Sequence, residues 1–328
     1  MRILLIGPLP PPLGGVSVYL YRHRRVLERG GHEVSVLDPT KMSRAAYFAR
    51  LLLTPLGRYD LIADHVQSVY VMSILLLTGM AGRTEVVDWN WRQLEYWAVW
   101  KRRLCGAFLR RCKAVILSGA HLASYYQEHG VALPRGKVRG LDPFIPPPPE
   151  DEGAILATYP AEVLEFAASR RPLVAANAFQ LVSYRGVDLY GLDMCVELVA
   201  ALKESYPNVG LVFALAEVGD AAYFEKMKRR IDELGVGDNF FFLTGQKELW
   251  PLFRRADLMV RPTCSDAYGI SVAEALHLGC QAVASDVCVR TPGTLTFANR
   301  DAEDFLRKCR LALERAAAPA AGGALGLG

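Results

Sequence analysis

Short apolar segments alternate with longer amphipathic segments along almost the whole chain. In the first half, apolar segments of strand length span residues 2–6, 33–37, 61–63, 85–87 and 114–117. In the second half they span residues 173–176, 210–214, 240–243, 258–260 and 281–284, and a last helix is predicted over residues 302–315. Because strands that alternate with helices form parallel sheets covered on both faces, the pattern predicts an α/β fold.

A proline-rich segment interrupts this alternation near the middle of the chain. Residues 142–150 read Asp-Pro-Phe-Ile-Pro-Pro-Pro-Pro-Glu, a composition that excludes a helix and is typical of a linker. We therefore predict two Rossmann-like doubly wound domains facing a central cleft, residues 1–145 and 146–316. The Ala- and Gly-rich residues 317–328 are predicted to form a disordered tail. In such sheets, ligands bind at the carboxyl ends of the strands.

The segment from Arg261 to Leu276 has the features of such a ligand site. Asp266 lies in a polar loop after an apolar strand, a helix is predicted to start at Gly269, and Glu274 lies inside that helix. The unpaired N–H groups at a helix N-terminus favour a phosphate, and carboxylates accept hydrogen bonds from sugar hydroxyls. The segment therefore predicts a site for a nucleotide-activated sugar. The alternative is a polar loop followed by a helix with an ordinary surface carboxylate.

This arrangement resembles the acidic-x7-acidic motif of the family 4 glycosyltransferases, which have the GT-B fold. The family motif usually reads Glu-Gly-Phe-Gly-Leu, two further residues and Leu-Glu-Ala, whereas residues 266–275 read Asp-Ala-Tyr-Gly-Ile-Ser-Val-Ala-Glu-Ala. The resemblance implies a hexosyltransferase that uses a nucleoside-diphosphate sugar, with retention of anomeric configuration, in polysaccharide or glycolipid biosynthesis. It also implies that Glu274 holds the ribose, that Asp266 contacts the donor sugar, and that backbone N–H groups near Gly269, Ile270 and Ser271 face the leaving group.

Two further glycine-containing turns extend the resemblance. Gly14 and Gly15 follow the first strand, where the family has a Gly-Gly loop that borders the donor phosphates and the acceptor. Gly245 ends the segment Phe-Phe-Leu-Thr-Gly, where the family's equivalent turn lines the nucleobase pocket through its backbone. Each glycine also has a plain structural explanation as a turn or a buried strand end.

The basic and imidazole groups match the family less closely. The family carries an Arg after the first strand of the second domain and then a Lys-Gly, and both cations face the diphosphate. Here Arg185 and the following Gly fit the second element, but residues 176–179, Ala-Asn-Ala-Phe, provide no first cation. His65 is a catalytic candidate by resemblance, although a lone His at a strand end is more often structural. Where the family tends to place another His, the chain has Asp88 or Asn90.

Composition and charge add information about compartment and partners. The seven scattered cysteines lack a Cys-x-x-Cys pair, which argues against a disulfide framework or a zinc site and for a reducing cytoplasm. Residues 1–150 hold 20 Lys/Arg against 11 Asp/Glu, a net charge of +9, whereas the remaining residues hold 18 against 23, a net charge of −5. The first half is therefore expected to meet an anionic surface or substrate.

Residues 89–113 form a basic segment rich in aromatic side chains, with four tryptophans, seven Lys/Arg and one acid. Helical spacing predicts that Leu94, Trp97, Leu104 and Phe108 face the core. Exposure is predicted for Trp91, Trp100, Arg102, Arg103, Arg110 and Arg111. Such a helix suits an anionic membrane surface. The alternative is a solvated charged face, and nucleic acid is not expected because no recognised nucleic-acid module accompanies the charge.

The sequence therefore predicts a glycosyltransferase of the cytoplasm, peripheral at the inner face of the membrane, with Asp266, Arg185 and His65 as catalytic candidates. Its expected partners are a nucleotide-sugar donor and a glycan or lipid-linked acceptor. No metal ion or other cofactor is expected, because the chain has no obvious Asp-x-Asp site. Two alternatives stay open: a catalytically silent GT-B scaffold subunit, and a Rossmann-type oxidoreductase with Asp38 on a ribose. The Gly-x-Gly-x-x-Gly fingerprint of the oxidoreductases is absent.

Overall fold

The computed structural model describes residues 1–89, 93–119 and 121–317. The chain divides into two compact units, the first ending at Ile145 and the second beginning at Pro146. Each unit contains its own six-stranded sheet, in which every neighbouring pair of strands is parallel. The predicted α/β class, with two doubly wound parallel-sheet domains, is confirmed.

The first unit has the strand order β2-β1-β3-β4-β5-β6. Its strands are β1 (Arg2–Ile6), β2 (Glu33–Leu37), β3 (Leu61–Asp64), β4 (Thr84–Asp88), β5 (Ala114–Leu117) and β6 (Val138–Gly140). Its α-helices are α1 (Gly15–Arg29), α2 (Arg44–Leu53), α3 (Val69–Leu77), α4 (Val99–Arg111) and α5 (His121–Glu128). Strand residues such as Ile6, Ile62 and Val86 pack with Phe108 and Leu109 of α4 in one apolar core.

The second unit has the strand order β11-β10-β7-β12-β13-β14. Its strands are β7 (Leu173–Leu181), β10 (Gly210–Gly219), β11 (Phe240–Thr244), β12 (Leu258–Arg261), β13 (Gln281–Ser285) and β14 (Leu295–Phe297), and β8 (Ser183–Tyr184) with β9 (Val187–Asp188) forms a separate antiparallel hairpin. Its α-helices are α6 (Glu152–Leu156), α7 (Ala161–Ser169), α8 (Leu192–Lys203), α9 (Ala221–Glu233), α10 (Trp250–Phe253), α11 (Ile270–His277) and α12 (Ala302–Ala317). Two apolar layers cover this sheet, one on each face.

Helix α9 illustrates how the sequence sets these elements. Phe224, Met227 and Ile231 recur at helical spacing and are buried, so one stripe of the helix packs on the core. The helix begins after Asp220, whose side chain accepts a hydrogen bond from the Tyr223 N–H at 2.9 Å. This cap satisfies one of the backbone donors that a helix N-terminus leaves unpaired, and it therefore fixes where the helix starts.

The predicted strands are all present, but several elements were missed or cut short. β6 was missed because its three residues are exposed and carry no apolar alternation, and β14 was missed because it has only three residues. β7 extends to Leu181, beyond the predicted residue 176, since its polar residues still pair with β10. Helix α12 continues to Ala317, the first residue of the predicted tail, and residues 318–328 lie outside the described part of the chain.

Candidate functional site

The strands β7 and β12 lie side by side where the strand order of the second sheet reverses. From β7 the chain moves outward through β10 and β11, and it then returns to β12 on the other side of β7. Leu258 pairs with Val174, and Met259 pairs with Ala175. The same register brings Arg261 beside Asn177, and the Arg261 Nη1–H donates to Asn177 Oδ1 at 3.3 Å. Open α/β sheets bind ligands at the carboxyl ends of strands at such a switch point.

Arg261 forms a two-point ion pair with Asp266 in the loop after β12. Arg261 Nε is 2.5 Å from Asp266 Oδ2, and Arg261 Nη2 is 3.2 Å from Asp266 Oδ1. Both side chains are largely buried, with exposed fractions of 12% and 11%. A planar guanidinium fits a carboxylate in this paired geometry, which fixes orientation as well as contributing energy. The loop residue Asp266 therefore holds Arg261 at the end of its strand.

Arg290, which follows β13, contacts the same carboxylate from another side. Its Nη1–H groups donate to Asp266 Oδ2 at 2.7 Å and to the Tyr268 carbonyl at 3.2 Å. Its Nε donates to the Ser285 carbonyl at 2.9 Å, and its Nη2–H groups donate to Thr263 Oγ1 at 3.3 Å and Ser285 Oγ at 3.1 Å. All five N–H donors of a guanidinium are thus used. Arg290 ties the loop of residues 263–268 to the end of β13.

The oxygens of Asp266 are fully engaged. Oδ2 accepts from Arg261 Nε, from Arg290 Nη1 and from Thr263 Oγ1, while Oδ1 accepts from Arg261 Nη2 and from the Ala267 N–H. Burial alone would raise the pKa of Asp266, but the charges and hydrogen bonds of the two arginines outweigh burial and hold that pKa well below its usual range. Asp266 is ionised, and a sugar hydroxyl would have to displace one of these donors to bind it.

Gly269 allows the two arginines to approach the start of α11. It caps the helix with φ +84°, a left-handed conformation that favours glycine. A Cβ atom at this position would lie 2.8 Å from Arg290 Nη1 and 3.2 Å from Arg261 Nε. The helix begins at the next residue, as predicted, so the N–H groups of Ile270 and Ser271 have no partner within the helix. Ser271 Oγ accepts a hydrogen bond from Arg261 Nη1 at 3.3 Å.

Glu274 lies one turn further along α11 and is 7% exposed. It is near Tyr159, whose hydroxyl donates to the Glu248 carbonyl. Burial raises the pKa of Tyr159 above its usual range, with contributions from Glu248 and Glu274. Glu248 belongs to the turn after β11 that contains Gly245, where φ is +92°. The structure therefore brings the predicted Glu274 and the predicted turn at Gly245 to the same neighbourhood.

Arg185 occupies the tip of the hairpin formed by β8 and β9. It has φ +51°, Gly186 has φ +82°, and two left-handed residues at a two-residue turn are typical of a type I′ hairpin. The Arg185 guanidinium lies 5.3 Å from the ring centroid of Tyr184, and the residue is exposed. Among the described residues, Arg185 takes no part in the hydrogen bonds around Asp266.

Gly14 and Gly15 stand at the start of α1 in the first unit, as predicted. The Gly14 N–H donates to Ser17 Oγ at 2.9 Å, and a Cβ on Gly14 would meet no atom closer than 4.0 Å. Asp38, the residue expected to bind a ribose in an oxidoreductase, instead accepts from the Leu9 N–H at 2.8 Å and from the Thr40 N–H at 2.8 Å. This carboxylate is committed to the backbone of neighbouring loops.

His65 is buried directly after β3, with an exposed fraction of 1%. Its Nδ1 accepts a hydrogen bond from the Trp89 Nε1–H at 3.1 Å, so the ring proton lies on Nε2. Burial, followed by the nearby His23, lowers the pKa of His65 to about 3. A neutral, buried imidazole is poorly suited to exchange protons near neutral pH, and the catalytic role suggested for His65 stays a prediction.

Asp88 and Asn90 were suggested by the sequence in place of a further histidine, and only Asp88 lies within the described residues. Asp88 is 3% exposed and accepts a hydrogen bond from the Tyr126 hydroxyl at 2.8 Å. Asn90 lies outside the described residues, as does Trp91.

Comparison with known proteins bears on this site directly. Residues 170–315, which include β7, β12 and α11, match the family described as Glycosyl transferases group 1. The match spans less than half of the chain.

The similarity to individual relatives is more limited in extent. Over 98 residues, 30% of its length, this chain is 30% identical to the lipopolysaccharide glucosyltransferase WaaG of Escherichia coli K12 and 30% identical to the lipopolysaccharide core biosynthesis mannosyltransferase LpsB of Rhizobium meliloti. These matches span 25% and 28% of the relatives' own lengths, about a quarter of each. The fold also matches a crystal structure of Anabaena HepE in complex with UDP. The match covers 96% of this chain and 90% of the HepE chain, with a TM-score of 0.65 and 15% sequence identity. The fold is GT-B.

The basic aromatic segment of the first unit is only partly as predicted. Leu94 and Phe108 are buried and Trp97 and Leu104 pack against the core, as expected, and Trp100 is 57% exposed. Arg103, Arg110 and Arg111 are exposed. Arg102 is half-buried and donates to the Glu95 carbonyl at 3.4 Å, so its predicted exposure is wrong. Tyr96 and Val99 add exposed apolar surface beside Trp100.

No helix within residues 1–89, 93–119 and 121–317 has the length and apolarity needed to cross a membrane.

Arg261, Arg290 and Asn177 were missed as site residues. Arg261 could have been noticed because a cation directly follows the apolar run 258–260 at a predicted strand end. Arg290 lies 24 residues beyond Asp266, and its pairing depends on the packing of β13 beside β12. No local pattern indicates that contact.

Proposed function

We propose that this chain is a hexosyltransferase that moves a sugar from a nucleoside-diphosphate donor to a glycan or glycolipid acceptor in polysaccharide or glycolipid biosynthesis. One observation carries the proposal: two arginines and one carboxylate leave a net positive charge beside the start of α11, at the switch point of the second sheet. A buried cation next to unpaired helix N–H groups suits a phosphate.

We assign the donor contacts by extending this geometry. The N–H groups of Ile270 and Ser271 face the diphosphate, and Glu274 accepts hydrogen bonds from the ribose. The turn at Gly245 lines the nucleobase through its backbone. Arg185, at the exposed tip of its hairpin, supplies a second cation for the diphosphate.

Two further assignments concern the first unit and the sugar. Gly14 and Gly15 border the phosphates, because a backbone without side chains permits close approach. We assign Asp266 to the donor sugar, whose hydroxyl takes the place of one of the donors that now engage the carboxylate.

The chemistry of such a transfer is charge stabilisation on the leaving group. When the glycosidic bond to the diphosphate breaks, negative charge grows on the phosphate oxygens. Fixed cations and N–H dipoles that need no reorganisation stabilise that charge, and a site without bulk water strengthens the effect. We propose that these protein groups act without a metal ion and that the anomeric configuration is retained. Turnover undiminished by EDTA, and a product anomer matching the donor by NMR, are the expected outcomes.

The relatives suggest a narrower substrate class. The two curated relatives are a glucosyltransferase and a mannosyltransferase of lipopolysaccharide synthesis, and HepE has been crystallised with UDP and with UDP-glucose. We therefore propose a UDP-linked hexose as donor and a lipopolysaccharide-type glycolipid as acceptor.

A calorimetric screen tests the donor class. UDP, GDP, ADP and CDP are titrated into the protein, each beside its free nucleoside. Tight binding of one diphosphate with a preference over its nucleoside supports the proposal, because both the base turn and the phosphate site must then be used. Absence of binding by all four diphosphates would refute it.

A catalytically silent scaffold is the second candidate, favoured by the burial and low pKa of His65. The two candidates differ in turnover rather than in nucleotide affinity. Release of free sugar from the bound donor, measured by NMR with and without a glycolipid acceptor, separates them. Binding without hydrolysis or transfer under any acceptor condition would favour the scaffold.

We further propose that the protein works at the cytoplasmic face of a membrane, with the first unit in contact with anionic lipid. Trp100, Arg103, Arg110 and Arg111 recur at helical spacing on α4 and are exposed, with Tyr96 just before the helix. Each Lys or Arg near an anionic leaflet contributes about 1 kcal/mol, and salt weakens that attraction.

Vesicle sedimentation tests the membrane contact. Binding to anionic but not neutral vesicles at low salt is expected, and replacing Arg103, Arg110 and Arg111 by Gln should remove it without changing nucleotide affinity. The matched control replaces Arg24, which is paired with Glu28 on α1. Equal sedimentation with both vesicle types, or with neither, would contradict the proposal.

A further inference from the structure

We infer that Arg261 faces the donor diphosphate and supplies, from β12, the cation that the end of β7 lacks. This inference rests on the proposed function, because it names a residue for the same donor site. No residue among 176–179 carries a positive charge. The missing cation therefore has to come from another element if the site binds a diphosphate.

The position of Arg261 is the first support. It ends β12, directly beside β7, and its Nη1–H contacts the Asn177 side chain at 3.3 Å. Asn177 belongs to the residues 176–179 in which the cation is missing. The Arg261 guanidinium thus lies on the adjacent strand, next to the position where the cation is missing. It also contacts Ser271 Oγ at the start of α11.

The division of contacts between the two arginines is the second support. Arg290 is 2% exposed and uses all five of its N–H donors within the protein, so it is a structural residue. Arg261 presents its Nε and Nη2 side to Asp266. Its Nη1 makes only long contacts of 3.3 Å, to Asn177 and Ser271, and one Nη2–H has no acceptor among the described residues. The edge formed by Nη1 and Nη2 is therefore available to a phosphate.

The charges of the group are the third support. Asp266 carries one negative charge and is shared between two guanidinium groups. Arg290 balances the carboxylate, and the charge of Arg261 is left for a ligand. Asp266 is a positioning residue in this scheme, because it orients Arg261 from the side and leaves the far edge open. A guanidinium with such an orientation favours the two oxygens of a pyrophosphate over a neutral group.

The position of the helix adds directional donors to the same place. Ser271 contributes a hydroxyl that already contacts Arg261, and the N–H groups of Ile270 and Ser271 begin α11. Gly269 leaves room for the Arg261 side chain, because a Cβ added at Gly269 would lie 3.2 Å from Arg261 Cδ and Nε. A cation, a hydroxyl and two N–H groups at the start of one helix match the acceptor oxygens of a diphosphate.

The test compares the wild-type chain with Arg261→Gln, using inorganic pyrophosphate, UDP and uridine in calorimetric titrations. Arg261→Gln is expected to weaken pyrophosphate and UDP about 10- to 100-fold, the scale of a charge-assisted hydrogen bond, and to leave uridine unchanged. Arg261→Lys keeps the charge but not the two-point geometry, so an intermediate loss is expected. Arg254→Gln is the matched control, because Arg254 pairs with Glu152 at the surface of the same unit.

Folding is controlled by circular dichroism of the single variants. Arg261→Gln leaves the Asp266 carboxylate paired with Arg290, so the buried group keeps its charge balance and the variant should retain the wild-type spectrum. Arg261→Lys keeps both the pair and the charge, so its spectrum should also match that of the wild type.

The outcomes separate the inference from the proposed function. UDP and pyrophosphate affinities that do not change in the Arg261 variants, while the wild type binds UDP, would overturn the inference and leave the proposed function standing. Pyrophosphate binding that depends on Arg261, without binding of any nucleoside diphosphate, would support the anion site and overturn the proposed function. A wild-type chain that binds neither pyrophosphate nor UDP would overturn the inference as well.

Discussion

Replacement of Gly269 by Ala should disrupt both the stability of the second unit and its anion site. Gly269 has φ +84°, and an added Cβ would stand 2.8 Å from Arg290 Nη1 and 3.2 Å from Arg261 Cδ and Nε. Real Cβ atoms do not approach other atoms as closely as 2.8 Å. Arg290 cannot withdraw without breaking its 2.7 Å contact with Asp266, because each of its other donors is also held. The substitution therefore acts on the whole group of charges.

Two contributions add up in this variant. A left-handed conformation costs a residue with a Cβ about 1–2 kcal/mol. Forcing an extra carbon into a packed site costs typically about 1–3 kcal/mol. We therefore expect Gly269→Ala to lower the free energy of unfolding of the second unit by about 2–5 kcal/mol, provided that the two costs are additive.

Gly279 offers a matched control at the other end of the same helix. It has φ +85°, and no atom lies within 4 Å of the position of its Cβ. Gly279→Ala should therefore cost only the conformational part, about 1–2 kcal/mol. Calorimetric unfolding of both variants gives the difference, which we expect to be about 1–3 kcal/mol. Pyrophosphate affinity should fall in Gly269→Ala and not in Gly279→Ala. Equal destabilisation of the two variants would refute the close approach of the arginines to the helix start.

Three further predictions concern single side chains. Burial raises the pKa of Asp64 from 3.8 to about 6, so the stabilising contribution of the protonated carboxyl is present below pH 3.8 and is lost as the pH rises through 6. Asp64→Asn should therefore raise the free energy of unfolding at pH 8 by about 3 kcal/mol. An equal gain at pH 4 in urea titrations would contradict this prediction. Glu274→Gln should weaken UDP and uridine alike by about 1.5–3 kcal/mol, and calorimetry showing unchanged uridine affinity would exclude the ribose contact. Arg185→Ala should weaken UDP much more than uridine, and equal losses of affinity would make Arg185 a residue that contacts something else.

The architecture was predictable because it is encoded in local apolar periodicity. The strand candidates in both units were found, and the start of α11 was indicated by Gly269 together with the change from a polar loop to helical spacing. Elements without that signal were not found. β6 is exposed along its whole length, and the hairpin of β8 and β9 consists of two-residue strands. Their pairing is set by neighbouring strands and by backbone turns rather than by an apolar pattern.

The candidate site was only half visible because some of its contacts join residues that are far apart along the chain. Asp266, Gly269 and Glu274 form one continuous motif, so sequence spacing was sufficient to select them. Arg261 contacts Asn177 across 84 positions of the chain, and that contact exists only once β7 and β12 pair.

The burial of His65 was not readable from the sequence for a related reason. Its position after β3 was readable, but its burial depends on Trp89 and on Gly7, where a Cβ would lie 3.1 Å from that of His65. Burial determines the pKa, and burial is a property of the folded chain.

The five hydrogen bonds of Arg290 have a consequence for the kinetics of ligand capture. They fix the loop of residues 263–268 to the end of β13 before any ligand arrives. A ligand therefore meets an arrangement whose ordering entropy was lost during folding and does not have to be lost again on association. Encounter rates should then be set by diffusion and charge attraction, and differences in affinity between related anions should lie mainly in their residence times.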